Sequence, residues 1–388
     1  MIIDFGGCLM NKFVEDSSLD SRKKEIESKL KRLREIMVEK SYDAFYISKA
    51  QNFSWITAGG CSIVSRWVEG GVCGILVTHS GQYYICKNIE AQRMVDEELL
   101  DKLGFEEKVS FWYEDKNLSI IRDIIGADGV LATDLPISGA IEANGIILQL
   151  QRVLSESELG RYFRMGEIFS EVIESYMLTI NPGDTEIKIA GGLSAKLMEN
   201  GLEPVLFLVA ADDRLYKYRH AIPTENRVDK FLMISCNPRY KGMVTKISRM
   251  MYFGDLPDEL REQYLVNLDI ENRMAEATKP GVDDIEVYHL AQKLYADYGY
   301  PDEWKLHHQG GPQSYTNGFY VINEDRHEVI QLNQIYGYNP SITGTKTEDA
   351  FLVTEDYPQF VTYPIHFPKE VSVINGYEYV RPGIYEMK

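Results

Sequence analysis

The spacing of apolar residues predicts an amphipathic helix over residues 22–40. Apolar side chains recur there at intervals of four, three and four, so they share one face of a helix. Glu25 and Lys29, four residues apart, add a favourable pair on its surface. The apolar positions are Ile26, Leu30, Leu33 and Met37.

Short β-rich runs follow this helix. Residues 43–48, 71–78 and 82–86 are rich in β-branched and aromatic residues and are bounded by turn-forming residues, which is typical of strands. A helical run extends from residue 89 to residue 103. These elements predict a small α/β domain over residues 1–152.

A second long helix is predicted over residues 156–178. Ser155 and Glu158 have the spacing of a capping box, in which each side chain binds the backbone N–H of the other residue at the start of a helix. This helix lies near the start of the second predicted domain, residues 153–388.

That domain contains an internal repeat. The turn Pro182-Gly183 recurs as Pro280-Gly281, 98 residues later, and each turn follows a long helical pattern and leads into a second helix and then β-rich sequence. Two copies are too few for a solenoid, which needs at least three. Two similar α+β halves predict instead a pseudo-twofold domain with a ligand site between the halves, where pockets commonly form.

An excess of acidic residues limits the partners of the chain. Its 388 residues include 59 Asp and Glu against 41 Lys and Arg, a formal net charge of −18. Such a field repels nucleic acids and anionic membrane surfaces, which proteins bind through clustered basic residues. The sequence has no apolar run long enough to span a membrane, and its start lacks the pattern of a signal peptide. We therefore expect a cytoplasmic protein that binds neither nucleic acid nor membrane.

Cysteine usage predicts reduced thiols rather than a disulfide framework. The five cysteines are odd in number, and none has the C-x-x-C spacing. Free cysteines commonly act as small buried apolar residues. They are Cys8, Cys61, Cys73, Cys86 and Cys236.

Four segments of the second domain carry the candidate chemistry. His220 lies in the first, and the second is a β-rich segment over residues 233–249. His307 and His308 precede two glycines, which let backbone approach a ligand closely, as a general base or a metal site requires. A structural hydrogen-bonded pair is the alternative for these two histidines. The fourth segment covers residues 338–349.

These segments, in this order, resemble the pita-bread family of creatinase, prolidase, aminopeptidase P and methionine aminopeptidase. The resemblance covers nearly the whole chain and includes residues 51–60 of a creatinase-like N-terminal domain. It implies an α+β fold, with an N-terminal α/β domain followed by a C-terminal pita-bread domain. In that domain, helices flank a curved antiparallel sheet whose concavity holds the site. The resemblance also implies a homodimer.

The metal-dependent members of this family hold two ions with two Asp, one His and two Glu. By resemblance, Ser235 and Lys246 stand at the two Asp positions and Asn339 at one Glu position, whereas Glu348 and either histidine of the 307–308 pair remain. An ammonium group at a ligand position repels a cation. We therefore expect no metal and no other cofactor, and we expect Lys246 to pair with Glu348 instead.

Creatinase sets a precedent for this loss, since that enzyme resembles the family in fold but works without metal. It uses a histidine as proton shuttle and glutamate to hold a guanidinium substrate, and His220 matches that histidine. The resemblance implies a metal-independent hydrolase of a C–N bond in a small molecule or short peptide, with His220 as acid/base. His307, His308, Lys246 and Glu348 are expected around it.

Two alternatives to this function remain open. The first is a catalytically inactive pseudo-peptidase that binds a peptide or a partner protein. The second is a metal-dependent Xaa-Pro peptidase with altered ligands.

Four further residues are candidate substrate contacts. Arg249 matches the family's arginine after the second Asp position, with a buried ion pair in the sheet as the alternative. Arg66 and Trp67 lie in a loop that, in creatinase-like dimers, reaches the neighbouring subunit's site, and they suit a carboxylate and an apolar group. Tyr315 is a candidate hydrogen-bond donor. For Arg66 and Trp67 the alternative is a plain surface loop, and for Tyr315 it is packing.

Overall fold

The computed structural model describes residues 13–388, so Cys8 lies outside the described part. These residues divide into two compact units. The N-terminal unit comprises residues 15–158 with 241–243, and the C-terminal unit comprises residues 159–240 and 244–388 with 13–14. The sequence-based boundary after residue 152 falls a few residues before this division.

The described part of the N-terminal unit is built on one six-stranded sheet of mixed strand direction, in the order β4-β3-β2-β1-β5-β6. Its elements are α1 (Leu19–Lys40), β1 (Ala44–Lys49), α2 (Ala50–Ile56), β2 (Gly70–Thr78), β3 (Gln82–Lys87), α3 (Asn88–Asp96), β4 (Glu106–Ser110), α4 (Asn117–Ile125), β5 (Leu131–Thr133), β6 (Ile141–Glu142) and α5 (Asn144–Leu150).

Helix α1 has the predicted amphipathic face. All four apolar residues of the stripe are at most 3% exposed. The helix begins three residues earlier than predicted, because the Ser18 hydroxyl accepts a hydrogen bond from the Ser21 N–H and caps its first turn. It ends at Lys40, and the next residue, Ser41, adopts the left-handed conformation with φ of 57°.

Helix α3 is shorter than the helix predicted over residues 89–103. It ends at Asp96, and Leu99 then adopts φ of 60°, a conformation that a right-handed helix cannot contain. The Leu100 and Leu103 side chains are buried all the same. The predicted helix was too long because the apolar residues beyond Asp96 continue the helical spacing although the chain there is not helical.

The described part of the C-terminal unit has a main sheet with the strand order β11-β12-β15-β10-β8-β7. Its elements are α6 (Glu156–Met177), α7 (Glu186–Glu199), β7 (Glu203–Ala211), α8 (Asp213–Lys217), β8 (Phe231–Tyr240), β9 (Met243–Val244), β10 (Ile247–Phe253), α9 (Asp258–Ala277), α10 (Asp284–Asp297), β11 (Gly310–Gln313), β12 (Ile335–Tyr338), β13 (Ser341–Ile342), β14 (Thr345–Lys346), β15 (Glu348–Leu352), β16 (Gln359–Phe360), β17 (Lys369–Ile374), β18 (Tyr377–Pro382) and β19 (Tyr385–Met387).

Two predicted features of this unit are present. The Ser155 N–H donates to Glu158 Oε2 and the Glu158 N–H donates to Ser155 Oγ, which completes the capping box at the start of α6. The two Pro-Gly turns are held alike, since the Gly183 N–H donates to the Val228 carbonyl and the Gly281 N–H donates to the Ile330 carbonyl. Each turn leads into a 14-residue helix, α7 or α10.

The strand order shows how the two halves join. The first half supplies β7, β8 and β10, and the second supplies β11, β12 and β15, so the two sets meet where β10 pairs with β15. Ser248 lies opposite Glu348 at this seam, and Ile247 lies opposite Asp349. The seam therefore brings the second and the fourth candidate segments together at the centre of the duplicated sheet.

Residues 13–388 contain neither a candidate membrane-spanning helix nor a disulfide. None of the helices in this range combines the length and the apolar character needed to cross a bilayer. The four cysteines in this range are free thiols, and all but Cys61 are buried.

Candidate active site

Glu348 is the buried carboxylate at the seam of the sheet. Its Oε2 atom accepts hydrogen bonds from Lys346 Nζ at 2.8 Å, from Ser248 Oγ at 2.8 Å and from Ser235 Oγ at 3.0 Å. Burial alone would raise the pKa of this carboxyl, but the ammonium groups of Lys346 and Lys246 and these hydrogen bonds lower the pKa to about 2. Glu348 is therefore ionised, and three donors already converge on one of its oxygens.

Lys346 is a site residue that the sequence reasoning missed. Its Nζ atom pairs with Glu348 and also donates to Ser235 Oγ at 3.0 Å. The predicted pair between Lys246 and Glu348 is wrong, because Lys346 provides the ion pair that the sequence assigned to Lys246. A signal was present, since residues two apart in extended chain share one face, as Lys346 and Glu348 do.

Lys246 lies close by, between β9 and β10, and is 5% exposed. Among the described residues, its Nζ atom makes no ion pair within 4.0 Å and no hydrogen bond. Burial lowers the pKa of Lys246, the Glu348 carboxylate raises it in part, and the Lys346 ammonium lowers it further. Lys246 thus contributes a second ammonium group without a second carboxylate.

The three candidate histidines converge in space although they come from two distant segments. A ring nitrogen from each of His220, His307 and His308 lies within 4.8 Å of the others. The Nε2 atoms of His220 and His307 are 3.2 Å apart, and His307 Nδ1 is 3.2 Å from Ser341 Oγ. Both members of the 307–308 pair therefore face this cluster.

Burial sets the protonation of these histidines. It lowers the pKa of all three, and for His307 the nearby Lys346 and His308 help to lower it to about 2. All three rings are accordingly neutral near pH 7. A neutral ring donates through one nitrogen and accepts through the other, so His307 can link His220 to Ser341 in a directed hydrogen-bond chain.

The three histidines differ in their exposure to solvent. His220 and His308 are exposed, whereas His307 is 6% exposed. A cleft of about 260 Å³, including the solvent at its mouth, reaches His307, Ser341 and Lys346 and is bordered by Tyr218 and Met233. The space inside the cleft that a water molecule can occupy is about 10 Å³, so a water molecule could reach His307 by this route.

The residues of the site do not fit a two-metal centre. Three of the five ligand positions inferred from the resemblance hold Ser235, Lys246 and Asn339, and Glu348 Oε2 is taken up by three donors. The three histidines are the one group of described residues that could surround a single ion. Two ammonium groups in the same site oppose such a cation electrostatically.

Arg249 takes part in a buried network of ion pairs. Arg249 is fully buried, and its guanidinium pairs with Glu174 at 2.7 Å and with Asp349 at 3.0 Å, so its contacts are those of the ion-pair alternative. It follows Ser248 on β10, and the alternation of side chains along a strand directs the two residues to opposite faces. Arg249 therefore supports the sheet behind the site.

Tyr315, Arg66 and Trp67 are the other three candidate substrate contacts. Tyr315 is 2% exposed, which agrees with the packing alternative. Trp67 is 88% exposed on the loop before β2 in the N-terminal unit. Arg66 precedes it in the same loop. The roles of these three residues in substrate binding stay predictions.

Comparison with known proteins identifies the family. A family model described as metallopeptidase family M24 matches residues 161–355, and one described as the creatinase/prolidase N-terminal domain matches residues 29–156. The chain belongs to metallopeptidase family M24, and its C-terminal unit has the pita-bread fold of that family. The structure and the family together confirm the fold class that the sequence predicted.

Individual relatives are distant in sequence. An Xaa-Pro dipeptidase of Pyrococcus horikoshii is 21% identical over 85% of this chain and 95% of its own length. An uncharacterized peptidase of Staphylococcus aureus is 22% identical over 56% of this chain, and the match spans 64% of that relative's length.

Solved structures show the same architecture. The prolidase from Pyrococcus horikoshii superposes with a TM-score of 0.73 at 18% identity, covering 87% of this chain and 99% of that one. The Xaa-Pro dipeptidase from Bacillus anthracis superposes with a TM-score of 0.72 at 19% identity, and the match covers 89% of this chain and 99% of that one. The N-terminal domain of the FACT complex subunit SPT16 from chickpea superposes with a TM-score of 0.68 at 11% identity, and the match covers 89% of this chain and 96% of that one.

Proposed function

We propose that this protein is a hydrolase that cleaves a C–N bond in a small molecule or short peptide without a two-metal centre, and that His220 is its acid/base. One observation carries the proposal. The surviving carboxylate, Glu348, binds Lys346, Ser235 and Ser248 through one oxygen, so it serves as a partner of the protein's own cation. The relatives named as Xaa-Pro dipeptidases support a short peptide as one class of substrate.

The proposed reaction follows from the hydrogen-bond chain of the histidines. Neutral His220 accepts a proton from a water molecule as the water oxygen bonds to the carbon of the scissile C–N bond. His220 then returns that proton to the leaving nitrogen as the C–N bond breaks, so the proton balance is closed. His307, held by Ser341, fixes the His220 ring, and the Lys346–Glu348 pair keeps a cation beside the reacting group.

One observation favours each of the two alternatives, a metal-dependent peptidase and a pseudo-peptidase. The convergence of three histidine nitrogens within 4.8 Å favours a single metal ion and hence a metal-dependent peptidase with altered ligands. The similarity to a domain of a named complex subunit favours a binding protein without turnover.

The experiment compares His220→Ala with His289→Ala. His289 is an exposed histidine of α10 that contacts Glu324, which makes it a matched control. The purified variants are assayed with Xaa-Pro and other dipeptides, N-acyl amino acids and small amidines. We expect turnover in the wild type, a loss of about a hundredfold to ten-thousandfold in His220→Ala, and unchanged turnover in His289→Ala. Equal turnover in all three proteins would contradict the role of His220, and ligand binding without any turnover would favour the pseudo-peptidase.

A further inference from the structure

Lys246 is a buried cation that lacks a counterion. Its side chain is 5% exposed, and among residues 13–388 its Nζ atom makes no ion pair within 4.0 Å and no hydrogen bond, although that atom keeps some contact with solvent. Buried charges in proteins are normally paired, because an uncompensated charge in a low dielectric is costly. An ammonium group that has no protein counterion and is reached from solvent is suited to bind an anion.

The carboxylates around Lys246 are committed to other cations. Glu348 pairs with Lys346, and Asp349, the next residue, pairs with Arg249 at 3.0 Å and Arg381 at 2.9 Å behind the sheet. The histidines are neutral, as argued above. The floor of the site therefore has one more ammonium group than carboxylates, although the chain as a whole carries a net charge of −18.

The backbone is shaped to admit the Lys246 side chain. A Cβ atom added at Gly337 on β12 would lie 2.9 Å from Cδ of Lys246 and 3.2 Å from its Cγ and Cε. Only glycine leaves room for the stem at this place. Gly337 also pairs with Gly311 on β11, so the strand beside it adds no side chain there either.

His308 can supply a second donor beside this ammonium group. Its Nδ1 atom accepts a hydrogen bond from the Gly310 N–H, so the hydrogen of the neutral ring is on Nε2. His308 precedes β11, whose Gly310 and Gly311 pair with Tyr338 and Gly337 on β12, so the His308 segment adjoins the strand against which the Lys246 stem packs. The charge of Lys246 accordingly helps burial to lower the pKa of His308. An ammonium and an imidazole N–H are donors, and neither accepts.

We propose that Lys246 and His308 form a carboxylate-binding site, so that the substrate of this protein is a small C–N compound that carries a free carboxylate. One carboxylate oxygen binds the Lys246 ammonium group and the other binds His308 Nε2–H. Charge-assisted hydrogen bonds of this kind are the strong ones in a buried site. As an assignment of substrate the inference rests on the proposed function, but as an assignment of a binding site it does not.

The test measures binding of formate, the smallest carboxylate, to metal-stripped protein at constant ionic strength. Line broadening of ¹³C-labelled formate gives the Kd for wild type, Lys246→Met and the control Lys293→Met. Lys293 is an exposed lysine of α10 that pairs with Asp297. Methionine keeps the length and apolar stem of Lys246 and removes only the charge. Guanidinium serves as the cationic comparison probe.

We expect saturable formate binding that weakens about tenfold to a hundredfold in Lys246→Met and is unchanged in Lys293→Met. Guanidinium should not bind saturably. Lys246→Met should fold with an equal or higher Tm, because replacing an unpaired buried charge by an apolar group removes a cost. Equal formate affinity in wild type and Lys246→Met, no saturable binding in wild type, or a marked fall in Tm would each overturn the assignment.

His220→Ala separates this inference from the proposed function. We expect this variant to lose turnover and to keep the formate affinity of the wild type. If the wild type shows no turnover but binds formate through Lys246, the proposed hydrolase fails and the binding site stands. If turnover depends on His220 but formate does not bind, the hydrolase stands and the carboxylate site fails.

Discussion

Ser248 Oγ donates a hydrogen bond of 2.8 Å to Glu348 Oε2 across the seam where β10 of the first half pairs with β15 of the second. The two residues are direct partners in the strand register, so the contact follows from the duplication of the fold. It places a neutral hydroxyl beside a carboxylate at the centre of the site. The Lys346 ammonium group then neutralises the negative charge of Glu348.

The first prediction concerns the ion pair of Glu348. Replacing Glu348 by Gln leaves the buried Lys346 ammonium without its counterion, so we expect a loss of about 3–5 kcal/mol in the free energy of unfolding. Urea denaturation measures this loss. Glu324→Gln, which disturbs an exposed pair with His289, is the control and should change stability by less than about 1 kcal/mol. Similar effects of the two substitutions would show that the Glu348 pair is not buried.

The second prediction concerns pH. The pKa of Glu348 is about 2 in the folded protein against an ordinary value of 4.5, so its charge stabilises the fold above pH 4.5 and this contribution is lost as pH falls towards 2. The stability difference between wild type and Glu348→Gln should therefore be constant from pH 7 to about pH 5 and shrink below that. Urea titrations at several pH values measure it. A difference that grows as pH falls has the wrong sign for this account.

The third prediction concerns the pH profile of catalysis. Burial lowers the pKa of His220 below 6.5, and a general base works only when it is neutral, so kcat/KM should fall on the acid side with an apparent pKa below 6.5. His307 has a pKa of about 2 and should not contribute to that limb. The profile is measured with the best substrate of the panel. An acid limb centred above 6.5 would show that another group titrates.

The fourth prediction concerns the space that Gly337 leaves for Lys246. Gly337→Ala should displace the lysine stem, destabilise the protein by about 1–3 kcal/mol and weaken formate binding. Adding Lys246→Ala removes the obstructing stem, so the double variant should recover most of the stability but not the formate affinity. A double-mutant cycle in urea measures the coupling of the two residues. Strictly additive losses would show that the two side chains do not compete for space.

Local patterns in the sequence predicted much of the fold. The stripe of α1, the Ser155–Glu158 capping box and the two Pro-Gly turns each depend on residues close in the chain, and all are present. Helix α3 ends before its predicted end because Leu99 turns the chain while nearby leucines stay buried, and burial alone does not distinguish a helix from a packed turn.

The contacts within the site could not be predicted from the spacing of residues in the sequence. Motif resemblance identified His220, Glu348 and Lys246, but which lysine binds Glu348 is decided by the register of β10 against β15 and by the return of the chain through β14. The same register decides that Ser248 faces the site while Arg249 faces the ion pairs behind it. Such pairings between residues about 100 positions apart follow from the folded sheet.

Metal dependence is the most direct test of the account. Protein purified without added metal is dialysed against a chelator, its content of zinc, manganese, cobalt and iron is measured by mass spectrometry, and turnover is assayed before and after each metal is restored. We predict turnover by protein with less than about one tenth of an equivalent of metal, with no gain on restoration, because Lys246 and Lys346 oppose a cation in this site. Turnover that disappears with the metal and returns with one equivalent would contradict the account and identify the three histidines as a metal centre.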